Sequence, residues 1–196
     1  MVEMLKIMEL LHFTTLLLIL IWTTGNNCFP NNCSIIKDRG YRCENGTEPT
    51  ITYYFDNDTE QCLPFLYEGC GGNENRFPNT GTCRKSCIPE DYGWCALKAK
   101  AYEDNESNTV ICSGTPLNSC PEKYVCRHLA FFGICCPKKT EEMFAKNSNP
   151  SCTKGKLVKF DSGGFSRVLL GKDCSDKFCP ENSKCFQQEI FAYCCH

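Results

Sequence analysis

Residues 62–87 read Cys62-Leu-Pro-Phe-Leu-Tyr-Glu-Gly-Cys70-Gly-Gly-Asn-Glu-Asn-Arg-Phe-Pro-Asn-Thr-Gly-Thr-Cys83-Arg-Lys-Ser-Cys87, and this stretch decides the fold. It combines an alternating aromatic strand (Phe65, Tyr67), a glycine-rich turn and a short helix candidate. Cys83 and Cys87 lie four residues apart, so a helix puts both on one face, where each can bond a different partner. Cys33 and Cys43 bring the unit to six cysteines in the 55 residues from 33 to 87. A unit this small cannot rest on an apolar core alone, so disulfides must carry much of its stability. Six cysteines allow about 15 pairings, and spacing alone does not choose among them.

Upstream, residues 51–55 (Ile-Thr-Tyr-Tyr-Phe) and 61–67 are β-branched and aromatic, with the polar turn Asp56-Asn-Asp-Thr-Glu60 between them. This pattern predicts a twisted β-hairpin. The hairpin strand, the F-x-Y-x-G-C run (Phe65, Tyr67, Gly69, Cys70), the G-N-x-N-x-F run (Gly72, Asn73, Asn75, Phe77) and the closing C-x-x-x-C resemble a Kunitz-type, pancreatic trypsin inhibitor-like domain. The resemblance covers residues 33–87. It implies a small disulfide-rich α+β fold, a twisted hairpin with a short C-terminal helix. It also implies the pairs Cys33–Cys87, Cys43–Cys70 and Cys62–Cys83.

The family's inhibitors present an extended loop that a serine protease binds as if it were substrate. The residue after the second cysteine enters the protease's primary pocket, and the oxyanion hole holds its carbonyl. Here the second cysteine is Cys43, so the resemblance places Glu44 in the pocket and Asn45 after the scissile bond. The trypsin-directed members carry Lys or Arg at that position. A glutamate would set carboxylate against carboxylate, and an unpaired buried charge costs several kcal/mol. The segment between Cys43 and Cys62 is also about three residues longer than is usual in the family, which costs pre-organisation. Glu68 stands beside the loop where the family often has glycine.

Further along the chain, residues 95–136 and 152–196 form an internal repeat. Each unit contains C-P-E-x-x-x-C (Cys120 to Cys126, Cys179 to Cys185), then eight residues, then a Cys-Cys pair. Phe132 and Phe191 match in position, as do Ile134 and Tyr193. Both units resemble the cysteine-rich repeats of lustrin-type secreted proteins, and they are expected to be small, loop-rich and cysteine-stapled. Residues 88–94 and 137–151 read as polar linkers.

The chain has 196 residues, 19 cysteines and a formal net charge of −2. This cysteine density marks a disulfide scaffold in an oxidising compartment. The charge offers no basic excess for nucleic acid or an anionic membrane. Residues 1–25 read as a signal peptide, with the apolar run Leu16–Trp22 too short for a stable membrane span. Secretion is therefore expected. Sequons at Asn32, Asn45, Asn57 and Asn105 fit export and glycosylation. Three units of six cysteines leave Cys28 over, which suggests either a disulfide-linked dimer or a capped thiol.

Zinc sites and Ser/His/Asp catalysis find no fitting pattern, so neither metal, cofactor nor enzymatic activity is expected. Tyr53, Tyr54, Phe55, Phe65 and Phe77 read as the core of hairpin and helix rather than a binding surface. The expectation is a secreted Kunitz-family inhibitor of a serine endopeptidase that accepts acidic residues. The alternative is a non-inhibitory extracellular binding or matrix module that engages another extracellular protein.

Overall fold

A computed structural model describes residues 31–44, 46–89, 93–112, 120–162 and 164–196. The expected leader, Cys28 and Asn45 lie outside the described residues. Residues 31–88 contain β1 (Tyr41–Arg42), the hairpin strands β2 (Thr50–Asp56) and β3 (Gln61–Tyr67), β4 (Gly69–Cys70) and helix α1 (Thr80–Cys87). β2 and β3 pair antiparallel from Thr50↔Tyr67 to Asp56↔Gln61. Asp56 closes the turn: its Oδ2 accepts from the Thr59 amide at 3.0 Å and the Thr59 hydroxyl at 2.6 Å. Asn79 caps α1 by accepting from the Thr82 amide at 2.8 Å, and Arg84 and Lys85 occupy its last turn, where cations suit the helix dipole.

Three disulfides tie this unit together: Cys33–Cys87, Cys43–Cys70 and Cys62–Cys83, with Cα separations of 5.6, 5.2 and 6.0 Å. Asn75, fully buried, pins the N-terminal segment to the hairpin. It accepts from the Phe55 amide at 2.9 Å and donates to the carbonyls of Ile35 and Phe55 at 2.7 and 3.0 Å.

Strand alternation gives the hairpin two buried faces. One carries Phe55, with Tyr53 and Cys62 beside it, and packs on Phe77, Cys83 and Cys87. The other carries Tyr54, Leu63, Phe65 and Tyr67, and is covered by Leu97, Met143, Phe144, Leu170, Ile190 and Phe191. The aromatic set therefore splits. Tyr53, Phe55 and Phe77 form the unit's own core, while Tyr54 and Phe65 are buried by residues far along the chain.

Those covering residues belong to the cysteine-rich half. It contains β5 (Tyr124–His128), β6 (Gly133–Pro137), α2 (Lys138–Ser148), β7 (Lys159–Ser162), β8 (Phe165–Val168), β9 (Leu170–Gly171), β10 (Lys184–Gln187) and β11 (Ala192–Cys195). β5–β6 and β7–β8 are hairpins, and β10–β11–β9 is a three-stranded sheet. Cys95–Cys136, Cys112–Cys126 and Cys120–Cys135 staple the first unit. Cys152–Cys195, Cys174–Cys185 and Cys179–Cys194 staple the second. Both sets join first to sixth, second to fourth and third to fifth cysteine.

Residues 137–151 differ from the linker read in the sequence, because most of them form α2. Its polar composition hides a short apolar stripe, Met143 and Phe144, turned onto the first hairpin. Glu141 anchors it by accepting from the Ala96 amide at 2.7 Å and from Arg127 at 2.9 Å. Buried Asn147 accepts from the Ile190 amide at 3.0 Å. Ion pairs add to this packing: Lys37 meets Asp176 at 2.6 Å, and Lys172 meets Asp56 at 3.0 Å. No helix among the described residues is long and apolar enough to cross a membrane.

Glu60 ends the hairpin turn in a left-handed conformation, φ 56°, and is only 8% exposed. Its Oε2 has no hydrogen-bond partner among the described residues. Burial pushes its carboxyl up to about 7, against the opposing pull of Lys98 and Arg127. The folded value thus exceeds the ordinary value of 4.5. The folded protein holds this proton where the unfolded chain has released it. Its contribution to stability is full below about 4.5 and is lost as pH rises through about 7. Glu60→Gln is therefore expected to raise the melting temperature at pH 8 more than at pH 4, checked by thermal unfolding at both pH values. An equal effect at both would refute this assignment.

Candidate functional site

The limb from Asp38 to Glu44 is braced from below at several points. Gly40 adopts φ 66°, and a Cβ there would lie 2.0 Å from the Cys70 carbonyl oxygen, so only glycine fits. The Gly40 amide donates to Asp38 Oδ1 at 2.9 Å. β1 then pairs with β4 as Tyr41↔Cys70 and Arg42↔Gly69. Gly69, at φ 113°, lets both limbs of the loop rest on the backbone: a Cβ there would sit 3.1 Å from Cys43 Sγ and 3.2 Å from the Thr47 carbonyl oxygen.

Glu68 ties the same limb electrostatically. Its carboxylate, with a side chain 19% exposed, meets Arg39 at 2.9 Å and Arg42 at 3.4 Å. Arg39 also donates to the carbonyls of Leu66 at 3.1 Å and Ser175 at 2.9 Å. Arg42 reaches Glu48 across the loop at 3.8 Å, an exposed pair of little energetic weight. Below, the Tyr67 hydroxyl donates to the Gly71 carbonyl at 2.8 Å, and the Arg76 guanidinium lies 3.9 Å from the Tyr67 ring centroid.

Glu44 follows directly after Cys43, whose disulfide partner Cys70 lies in β4. Its side chain is exposed and makes no ion pair among the described residues. A carboxylate on a braced, outward-facing loop can enter a complementary pocket without first leaving an internal partner. Asn45 lies outside the described residues. Among the other sequons, Asn57 and Asn105 are exposed and Asn32 is half-buried beside Cys33. Asn57 Oδ1 accepts from Lys98 at 2.6 Å, and Thr59, the third residue of that sequon, is buried.

The sequence reading names Glu68 only as a departure from a family pattern and overlooks Arg39. No local pattern marks these residues as partners, since only the pairing of β1 with β4 brings the arginines to Glu68. Two cysteine groups gather closely enough to suggest metal ligation, Cys112–Cys120–Cys135 and Cys95–Cys136–Glu141. All five of those sulfurs are in disulfides and offer no thiolate.

The family model for the Kunitz/bovine pancreatic trypsin inhibitor domain matches residues 32–88. The major allergen Ani s 1 of Anisakis simplex is 42% identical over 166 residues, 83% of this chain and 86% of that protein. A BPTI/Kunitz inhibitor domain-containing protein of Caenorhabditis elegans is 32% identical over 163 residues, 83% of this chain and 88% of that protein. The tissue factor pathway inhibitor of Mus musculus is 50% identical over 69 residues, 32% of this chain and 22% of that protein.

Proposed function

Because this chain belongs to the Kunitz/BPTI domain family, we propose that it is a secreted inhibitor of a serine endopeptidase that accepts acidic residues. Glu44 is the pocket residue, and Asn45 follows the scissile bond. The observation that carries this reading is an exposed carboxylate, without an ion pair among the described residues, directly after a cysteine whose disulfide and strand hold the loop in place. Such a loop loses little conformational entropy on docking, so contact energy appears as affinity. The Glu68 pairs with Arg39 and Arg42 brace the limb that leads into Cys43. Residues 95–136 and 152–196 act as two lustrin-type repeats, a reading supported by their identical pairing order. Both support the hairpin that carries the loop.

A second reading is a non-inhibitory extracellular binding module, favoured by the Asn45 sequon, since a glycan there would obstruct a protease. Titrating the secreted chain against trypsin, chymotrypsin and a glutamate-specific serine protease separates the two. Inhibition confined to the glutamate-specific enzyme, at sub-micromolar concentration, is the expected result. Comparable inhibition of trypsin would remove Glu44 from its proposed role. No inhibition of any of the three, with Asn45 fully glycosylated, would favour the second reading.

A further inference from the structure

A recess of about 420 Å³ opens along β3, where the first unit meets α2 and the β7–β8 hairpin. None of its lining residues belongs to the limb that carries Glu44. Much of its wall is apolar. Tyr53, Phe144, Phe160 and Val168 all line it, and each is half-buried because one side of it faces this space. Phe144 is held in place by Phe191, edge to face with ring centroids 5.5 Å apart. Burial pushes the Tyr53 hydroxyl pKa up, so at neutral pH it is an uncharged donor.

The charged lining is all of one sign. Arg84 of α1 and Arg167 of β8 both border the recess, and no Asp or Glu does. Both arginines are exposed, so their charge stands where the recess meets solvent. Neither side chain makes an ion pair or hydrogen bond among the described residues. The other cations between the two halves are matched: Lys37 meets Asp176 at 2.6 Å and Lys172 meets Asp56 at 3.0 Å. Here one arginine comes from each half, and the counter-ion is left for a ligand to supply. The volume falls within the range of small-molecule sites, about 300–1,000 Å³.

We propose that this recess binds an unbranched fatty acid, its carboxylate paired with Arg84 and Arg167 and its chain laid against Phe144, Phe160 and Val168. Guanidinium groups suit this role, because they take a carboxylate through two parallel hydrogen bonds and are weakly hydrated. An inorganic anion would satisfy the arginines and leave the apolar wall wet. A neutral hydrocarbon would do the reverse. An anionic amphiphile answers both features at once, and it would join the two halves that line the recess.

Isothermal titration calorimetry of the full chain with monomeric decanoate tests this. One saturable site per chain is expected, with a dissociation constant on the order of 100 μM. Decyltrimethylammonium, a cation on the same ten-carbon chain, should bind at least about tenfold more weakly. Arg167→Gln should weaken decanoate binding about tenfold. Lys85→Gln removes the same charge from an exposed position on α1 that does not line the recess, and should leave binding unchanged. Both variants alter exposed side chains, and melting temperatures equal to that of the native chain check that they fold alike. No saturable binding of decanoate up to about 2 mM would overturn the proposal. So would equal binding of the cation, or an equal loss from Lys85→Gln and Arg167→Gln.

Discussion

Glu44→Arg is expected to raise affinity for trypsin about a thousandfold, roughly 4 kcal/mol, while abolishing inhibition of a glutamate-specific protease. The native carboxylate would be buried against the carboxylate at the base of a trypsin pocket. Arginine removes that repulsion and adds a desolvated, hydrogen-bonded ion pair. Glu44 is exposed and makes no ion pair among the described residues. The change should therefore leave stability within about 0.5 kcal/mol. Inhibition constants against both enzymes, with melting temperatures, check the two halves together. Unchanged trypsin affinity would show that the residue after Cys43 does not enter the pocket.

Lys37→Met should produce the largest loss of stability, about 3 kcal/mol. Asp176 is 2% exposed, and both its oxygens lie within 2.7 Å of Lys37 Nζ. Removing the lysine strands a buried carboxylate between the first hairpin and the second cysteine-rich unit. Lys37 itself is 21% exposed, which keeps the expected loss at the low end for a buried pair. The double variant Lys37→Met/Asp176→Leu should recover most of the stability, because it leaves no charge unpaired. Urea unfolding measures both, and limited proteolysis should show the single variant cut earlier between the units. A single variant as stable as the native chain would mean that this pair does not join the two halves.

The small disulfide-rich fold was legible because its cues are local. The spacing of Cys62, Cys70, Cys83 and Cys87, with aromatic residues between them, lies within one short stretch. The duplication was legible for the same reason, since C-P-E-x-x-x-C and the Cys-Cys pair are fixed spacings. Contacts between the halves were not legible. Lys37 and Asp176 are 139 residues apart, and no periodicity links them. Helix α2 escaped notice because Met143 and Phe144 meet their apolar partner only in the folded chain. The hairpin's aromatic content showed that it is buried, but not that two different parts of the protein bury its two faces. At the loop, the sequence places Glu44 directly after Cys43, and the structure adds that its side chain is exposed. The work of Glu68 could not be read from the sequence, because the arginines it holds come from a different strand segment and only pairing brings them together.

The most direct measurement follows the backbone itself. The chain is incubated with a trace of glutamate-specific serine protease, and the products are mapped by mass spectrometry without reduction. A single slow cut between Glu44 and Asn45, adding one water while Cys43–Cys70 keeps the pieces joined, is the expected result. A chain first cut at other glutamates, with the Glu44–Asn45 bond intact, would contradict the role given to this loop.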